Sequence, residues 1–172
     1  MGELSTLRLA DYSKAIELCK DDPVRPHLPD GWRVEEGSRE VYYLETPGPG
    51  SPTFQIDSVL CLTYLNDIPI DEDELLSFSH GNKFAIFYTV WSNKRGMGRE
   101  IIINTMKHIR NKNIHNWDKW DMRYITMSPK TEMAKKFHLR NGATLLQENP
   151  MTYNFEYTYS GSTAISNRTK YG

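Results

Sequence analysis

Residues 84–91 read Phe-Ala-Ile-Phe-Tyr-Thr-Val-Trp. Both alternating faces of this run are apolar, so as a strand it needs cover on both sides. It passes through Ser92-Asn93-Lys94-Arg95-Gly96-Met97-Gly98 into Arg99–Arg110, where Ile101, Ile102, Thr105, Met106 and Ile109 fall on one helical stripe. A buried strand, a glycine turn and an amphipathic helix in succession fit a sheet with helices on its faces. The order of elements along the whole chain gives a mixed sheet with helices, not a doubly wound β-α alternation.

The rest of the chain fits that frame. Thr6–Ala10 alternates as a half-buried strand, and Asp11 is placed to cap a helix carrying Ala15, Ile16, Leu18 and Cys19. Residues 23–31 hold three prolines and a glycine and predict a stiffened loop; 32–39 could form a short helix. Strands are predicted at 40–45 and 58–65, with Phe54 and Ile56 in a flanking extended piece, and at 122–127, 143–146 and 152–159. Ser128-Pro129 predicts a helix start that runs to about Arg140 and stops at Asn141-Gly142. The expected class is α+β, a mixed, mostly antiparallel sheet of six to seven strands flanked by helices. One domain over 1–159 and a polar tail over 160–172 are expected.

Composition narrows the function. The chain has 172 residues, 38% hydrophobic and 25% charged, which suits a globular domain. No stretch is apolar for long enough to span a membrane. No basic segment followed by an apolar block opens the chain, so no secretory signal is expected. Cys19 and Cys61 lack metal-ligand spacing and are expected to be buried free thiols; no metal is expected. These features together predict a cytoplasmic protein (host cytoplasm or virion if the source is viral). The formal net charge is −1, yet Lys94, Arg95, Arg99, Lys107, Arg110 and Lys112 are opposed only by Glu100 between 94 and 112. A local basic site in a near-neutral chain suits a small anion better than a nucleic acid.

The turn at 93–98 is where that anion would sit. A helix N-terminus presents unpaired N–H groups and partial positive charge. Gly96 and Gly98 let backbone approach a phosphate, and Lys94, Arg95 and Arg99 add charge. The turn is neither a Walker A loop nor a dinucleotide fingerprint, since no Gly-Lys-Ser/Thr and no third glycine follows. A tight strand-to-helix turn that merely needs glycine is the plainer alternative.

Asn93-Lys94-Arg95-Gly96-Met97-Gly98 resembles the Gln/Arg-x-x-Gly-x-Gly/Ala loop of the GNAT superfamily, and Ala134-Lys135-Lys136-Phe137-His138-Leu139-Arg140-Asn141-Gly142-Ala143 resembles its Ala-x-x-Phe-Tyr-x-x-x-Gly-Phe block. The likeness covers about residues 82–158. It implies an acetyl-CoA-dependent N-acetyltransferase whose pyrophosphate loop is Lys94, Arg95, Gly96, Met97, Gly98 and Arg99. It also implies an oxyanion donor in the backbone near Val90 or Trp91, and an acceptor site bordered by the Pro23–Trp32 loop. Asn93 stands for the usual Gln or Arg, and Ala143 for the usual Phe. His138 replaces the tyrosine proposed to protonate the departing thiolate; His138 and Tyr88 are the candidate acids. The alternative is a half-exposed helix histidine without a catalytic role.

No carboxylate interrupts 84–91, where some relatives carry a glutamate base. The acidic block Asp71–Glu74 reads as a solvated loop or first helical turn, or as an attractor for a cationic amine. The partners expected are acetyl-CoA and an amine acceptor, with a protein partner for the tail and for Trp117 and Trp120. A second reading is a catalytically inactive GNAT-like scaffold with a structural or binding role. It is suggested by a faint likeness of 137–143 and 153–157 to GNAT-like internal virion proteins of T7-like phages.

Overall fold

A computed structural model describes residues 5–50, 52–113 and 121–159. Its strands are β1 (Thr6–Leu9), β2 (Arg39–Pro47), β3 (Phe54–Leu65), β4 (Phe84–Ser92), β5 (Arg123–Thr126), β6 (Ser128–Pro129), β7 (Thr144–Glu148) and β8 (Thr152–Tyr157). Its helices are α1 (Tyr12–Cys19), α2 (Glu72–Ser77), α3 (Met97–Lys112) and α4 (Glu132–Arg140), and a 3-10 turn covers Asp30–Arg33. The strands form one sheet in the order β1-β2-β3-β4-β5-β8-β6, with β7 on β8. Every pairing among these strands is antiparallel except β4 with β5. The tail at 160–172, Trp117 and Trp120 lie outside the described residues.

Each face of the sheet buries its own core. Leu60, Leu62, Ala85 and Phe87 pack with Ile101, Ile102, Met106 and Ile109 of α3. Val59, Cys61, Ile86 and Tyr88 pack with Ala15, Leu18 and Cys19 of α1 and Leu75 of α2. This explains why 84–91 is apolar on both faces. Apolar burial of this kind is worth roughly 1.5–3 kcal/mol per large side chain, and it holds β4 at the centre of the molecule.

Strand β4 departs from regular pairing in two places. Cys61 faces Thr89 and Leu62 faces Phe87, so Tyr88 is an extra residue, a β-bulge. The parallel ladder with β5 also stops early. It pairs Phe84–Phe87 with Arg123–Thr126 and closes on Met127 N–H donating to the Phe87 carbonyl at 3.0 Å. Beyond that point β4 runs on to Ser92 along β3, while Ser128 and Pro129 turn to pair with β8. The two central strands therefore splay.

Several sequence expectations shift. Phe54 and Ile56 belong to β3 itself, and the described sheet has eight strands rather than six or seven. Asp11 caps α1 as expected, its carboxylate accepting from Lys14 N–H at 2.8 Å. Ser128 and Pro129 do not start α4; Thr131 caps it, accepting from Ala134 N–H at 3.1 Å. The Ser128 hydroxyl is occupied elsewhere, with Thr126 and His138. The only helix-like geometry in 23–39 is the short turn at Asp30–Arg33. Asp71 caps α2, so the acidic block is a first helical turn.

Candidate active site

The splay opens a cleft of about 390 Å³ between β4 and the β5–β6 segment, with α3 and α4 beside it. Phe87 to Ser92 form one wall; Met127 to Pro129, Ala134, Phe137 and His138 form the other, and Gly98 lies at the α3 end. Among the described residues no Lys, Arg, Asp or Glu lines it, and its titratable side chains are His138 and Tyr88.

The start of α3 differs from that of every other helix described. Asp11, Asp71 and Thr131 cap α1, α2 and α4 with their side chains. Gly96 caps α3 with none. It sits in the left-handed region at φ +83°, which favours glycine, and a Cβ there would meet nothing within 4 Å. The first-turn N–H groups of a 16-residue helix are thus left without a side-chain acceptor at the mouth of the cleft. Gly98 serves another purpose: a Cβ there would lie 3.0 Å from the Phe137 ring, so its absence lets α4 close on α3. Lys94 and Arg95 are exposed, Met97 and Arg99 half-buried, and Val90 and Trp91 half-buried on the cleft wall. Asn93 is committed to β3: its amide donates to the Ile56 carbonyl at 3.1 Å, and its N–H to the Asp57 carbonyl at 2.8 Å.

His138 is buried, 6% exposed, and not a half-exposed surface group. Its Nε2 lies 3.0 Å from Ser128 Oγ and its Nδ1 2.7 Å from the Tyr157 hydroxyl. Ser128 in turn donates to Thr126 Oγ1 at 2.9 Å. Burial pushes the His138 pKa down to about 4, so the ring is neutral at neutral pH. The result is a chain of exchangeable protons, Tyr157–His138–Ser128, that ends on the cleft wall.

The Tyr88 ring points into the α1-side core, edge-on to Trp32 at 5.4 Å between centroids and beneath the Arg33 guanidinium at 5.9 Å. Burial first, and the Cys61 thiol next, push its pKa well above the phenol value. A phenol held neutral this firmly is a poor proton donor to a leaving group.

A buried polar cluster under β4 has no counterpart among the sequence expectations. Arg33 pairs with Asp22 at 2.7 Å, both side chains almost fully buried. Asp22 also accepts from Thr89 Oγ1 at 3.2 Å and from Val24 and Arg25 N–H at 2.7 and 2.9 Å. Arg25 pairs with Glu72 at 3.0 Å, and His27 shares that carboxylate. Burial alone would raise the Glu72 pKa, but the His27 hydrogen bond and the Arg25 charge outweigh it and hold the carboxyl below its usual range. Cys19 and Cys61 are free and buried, with sulfurs 3.8 Å apart. Among the described residues no group of three or more His, Cys, Asp or Glu could hold a metal ion.

Solved structures with this fold are known. Malonyl-CoA decarboxylase from Agrobacterium vitis superposes with a TM-score of 0.67 at 14% identity, over 91% of this chain and 61% of that one. The chain thus spans about three fifths of that protein's length. Arabidopsis thaliana NAA60, solved with a bisubstrate analogue, gives 0.58 at 13% identity, over 90% of this chain and 100% of that one. The GNAT domain of S. lividans PAT gives 0.57 at 12%, over 89% of each. The fold is the GNAT fold. At these identities the likeness is one of fold. No protein-family model matches the chain, and no curated protein is significantly similar to it in sequence. The likeness to phage virion proteins is not shown by these structures. The glycine turn at 93–98 lies between β4 and α3, the place in the chain that the sequence resemblance implies for it.

Proposed function

We propose that this chain is an acetyl-CoA-dependent N-acetyltransferase acting on a primary amine of a small molecule or protein. The observation that carries this reading is α3, uncapped among the described helices, opening at Gly96 onto the gap between β4 and β5. The N–H groups of Gly98 and Arg99 would face the pyrophosphate, with Lys94 and Arg95 adding charge from the surface. The thioester supplies the activated acyl group. The backbone N–H of Val90, which points away from β3 because Asn93 and so Trp91 direct theirs at it, is the donor for the oxyanion. The C–N bond forms as the C–S bond breaks; the departing thiolate takes its proton from the Ser128 hydroxyl, relayed through His138 and Tyr157, and the proton that the amine nitrogen loses to water restores that chain. No step is assigned to Tyr88. The charge-free cleft favours a neutral acyl group such as acetyl over one ending in a carboxylate.

A second reading draws on the Ser128–His138 pair and on the resemblance in fold to malonyl-CoA decarboxylases. Loss of CO₂ from a malonyl thioester leaves an enolate, which needs a proton at carbon. Ser128 and His138 could deliver one. The described cleft lining offers no cation to hold the malonyl carboxylate, so acetyl transfer ranks first.

Calorimetry with acetyl-CoA, with Gly96→Asp and Gly98→Asp as controls, tests the site. We expect binding by the wild type that both substitutions abolish. An absence of heat at millimolar ligand sinks both readings and leaves the inactive scaffold. Thiol release on an amine panel, set against CO₂ release from malonyl-CoA, then separates the two reactions. Among the described residues no helix is long and apolar enough to cross a membrane.

A further inference from the structure

Arg25 lies in the proline-rich loop before the 3-10 turn, and its role there rests on the acyl-CoA reading of the cleft. The last rung joining β4 to β5 is Met127 N–H to the Phe87 carbonyl. The next carbonyls outward are those of Tyr88, the bulge residue, and Met127. Both accept from the same side chain. Arg25 Nε donates to the Tyr88 carbonyl at 3.2 Å, and Nη2 to the Met127 carbonyl at 2.8 Å. The third nitrogen, Nη1, donates to Glu72 at 3.0 Å. Arg25 is 7% exposed and is held by its own backbone: its N–H donates to Asp22, and its carbonyl accepts from Arg33 Nη2 at 2.7 Å. In a continued parallel ladder the Met127 carbonyl would accept from β4. Here a planar, rigid fork of donors takes that place and spans the two strands. Pro23 and Val24, immediately before it, line the cleft.

We propose that Arg25 is a positioning residue: it fixes the width of the strand splay at its apex and so sets where the acyl-thioester arm lies. It does not touch the pyrophosphate end, which belongs to α3. Lysine is a poor substitute, because its donors radiate from one nitrogen, whereas the guanidinium presents Nε and Nη2 side by side to the two carbonyls.

The test compares two ligands on the full chain, acetyl-CoA and 3′-phosphoadenosine 5′-diphosphate, the nucleotide half without the thioester arm. Arg25→Met and Arg25→Lys should each weaken acetyl-CoA about tenfold while changing the nucleotide less than twofold. Glu72→Ala removes the outer tether, together with the His27 contact on the same carboxylate, and leaves both bonds from Arg25 to the strands. It should move acetyl-CoA two- to threefold in the same direction, and it serves where the Arg25 variants do not fold. Equal loss of both ligands in the Arg25 variants, full rescue by lysine, or no change in any variant would overturn the assignment of Arg25 alone. A wild type that binds neither ligand would remove the acyl-CoA reading and this inference with it.

Discussion

Ser128 Oγ and His138 Nε2 lie 3.0 Å apart across the turn from β6 into α4, and both face the cleft. The imidazole at that distance is neutral, because its burial carries its pKa down to about 4. Two consequences can be measured. The contribution of neutral His138 to turnover should show no titration near 6.5 and should be lost only as pH drops through about 4, so a fall between those values belongs to protonation of the acceptor amine. His138→Ala should lower kcat more than acetyl-CoA affinity, and an unchanged rate would take the residue out of the reaction.

The same group makes a stability prediction. The unfolded chain binds a proton at His138 below about 6.5, while the folded chain resists it down to about 4. Stability from this site is therefore complete above the unfolded value and is lost as pH falls from about 6.5 to about 4. Its size is on the order of 3 kcal/mol. Thermal melts of wild type and His138→Gln between pH 4 and 7 should converge at the acid end.

Gly98 and Phe137 form a steric pair. Gly98→Ala places a methyl 3.0 Å from the ring and should cost about 1–3 kcal/mol, largely recovered by Phe137→Leu. Gly96→Ala has open space but a left-handed backbone, and should cost about 1–2 kcal/mol with no such rescue. Denaturant melts of Gly98→Ala and Gly96→Ala, each with and without Phe137→Leu, check this.

Asp22 and Arg33 are buried together. Asp22→Asn leaves the guanidinium without its counter-charge and should cost about 3–5 kcal/mol. Asp22→Asn with Arg33→Met should recover part of that loss. Additive losses in a double-mutant cycle would contradict the pairing.

Asn93 and its basic neighbours should separate cleanly. Asn93→Ala removes a hydrogen bond to β3 and should cost about 1 kcal/mol of stability with little effect on acetyl-CoA affinity. Lys94→Ala with Arg95→Ala should do the reverse, and the loss of affinity should shrink as salt rises. Calorimetry at two ionic strengths reads both.

Legibility from sequence depends on the range of the interactions. Period and punctuation are local, so the strand at 84–91, the glycine turn and the helix ending at Asn141-Gly142 are legible from residues alone. The Arg25 contacts join residues 63 and 102 positions apart, and nothing in a proline-rich loop announces them. The one available signal is an arginine set between an apolar helix and an apolar strand. Ser128-Pro129 misleads for a related reason: it carries a good helix-start signature, but the serine hydroxyl has a tertiary partner in His138.

The bulge at Tyr88 changes how β4 must be counted. Ile86 and Tyr88, at even positions, face α1; beyond the bulge Thr89 and Trp91, at odd positions, take that side, and Val90 takes the other. Parity reverses within one strand. An ungapped alignment of a regular strand onto 84–92 would therefore be correct as far as Tyr88 and would exchange cleft-wall and core positions in every residue after it.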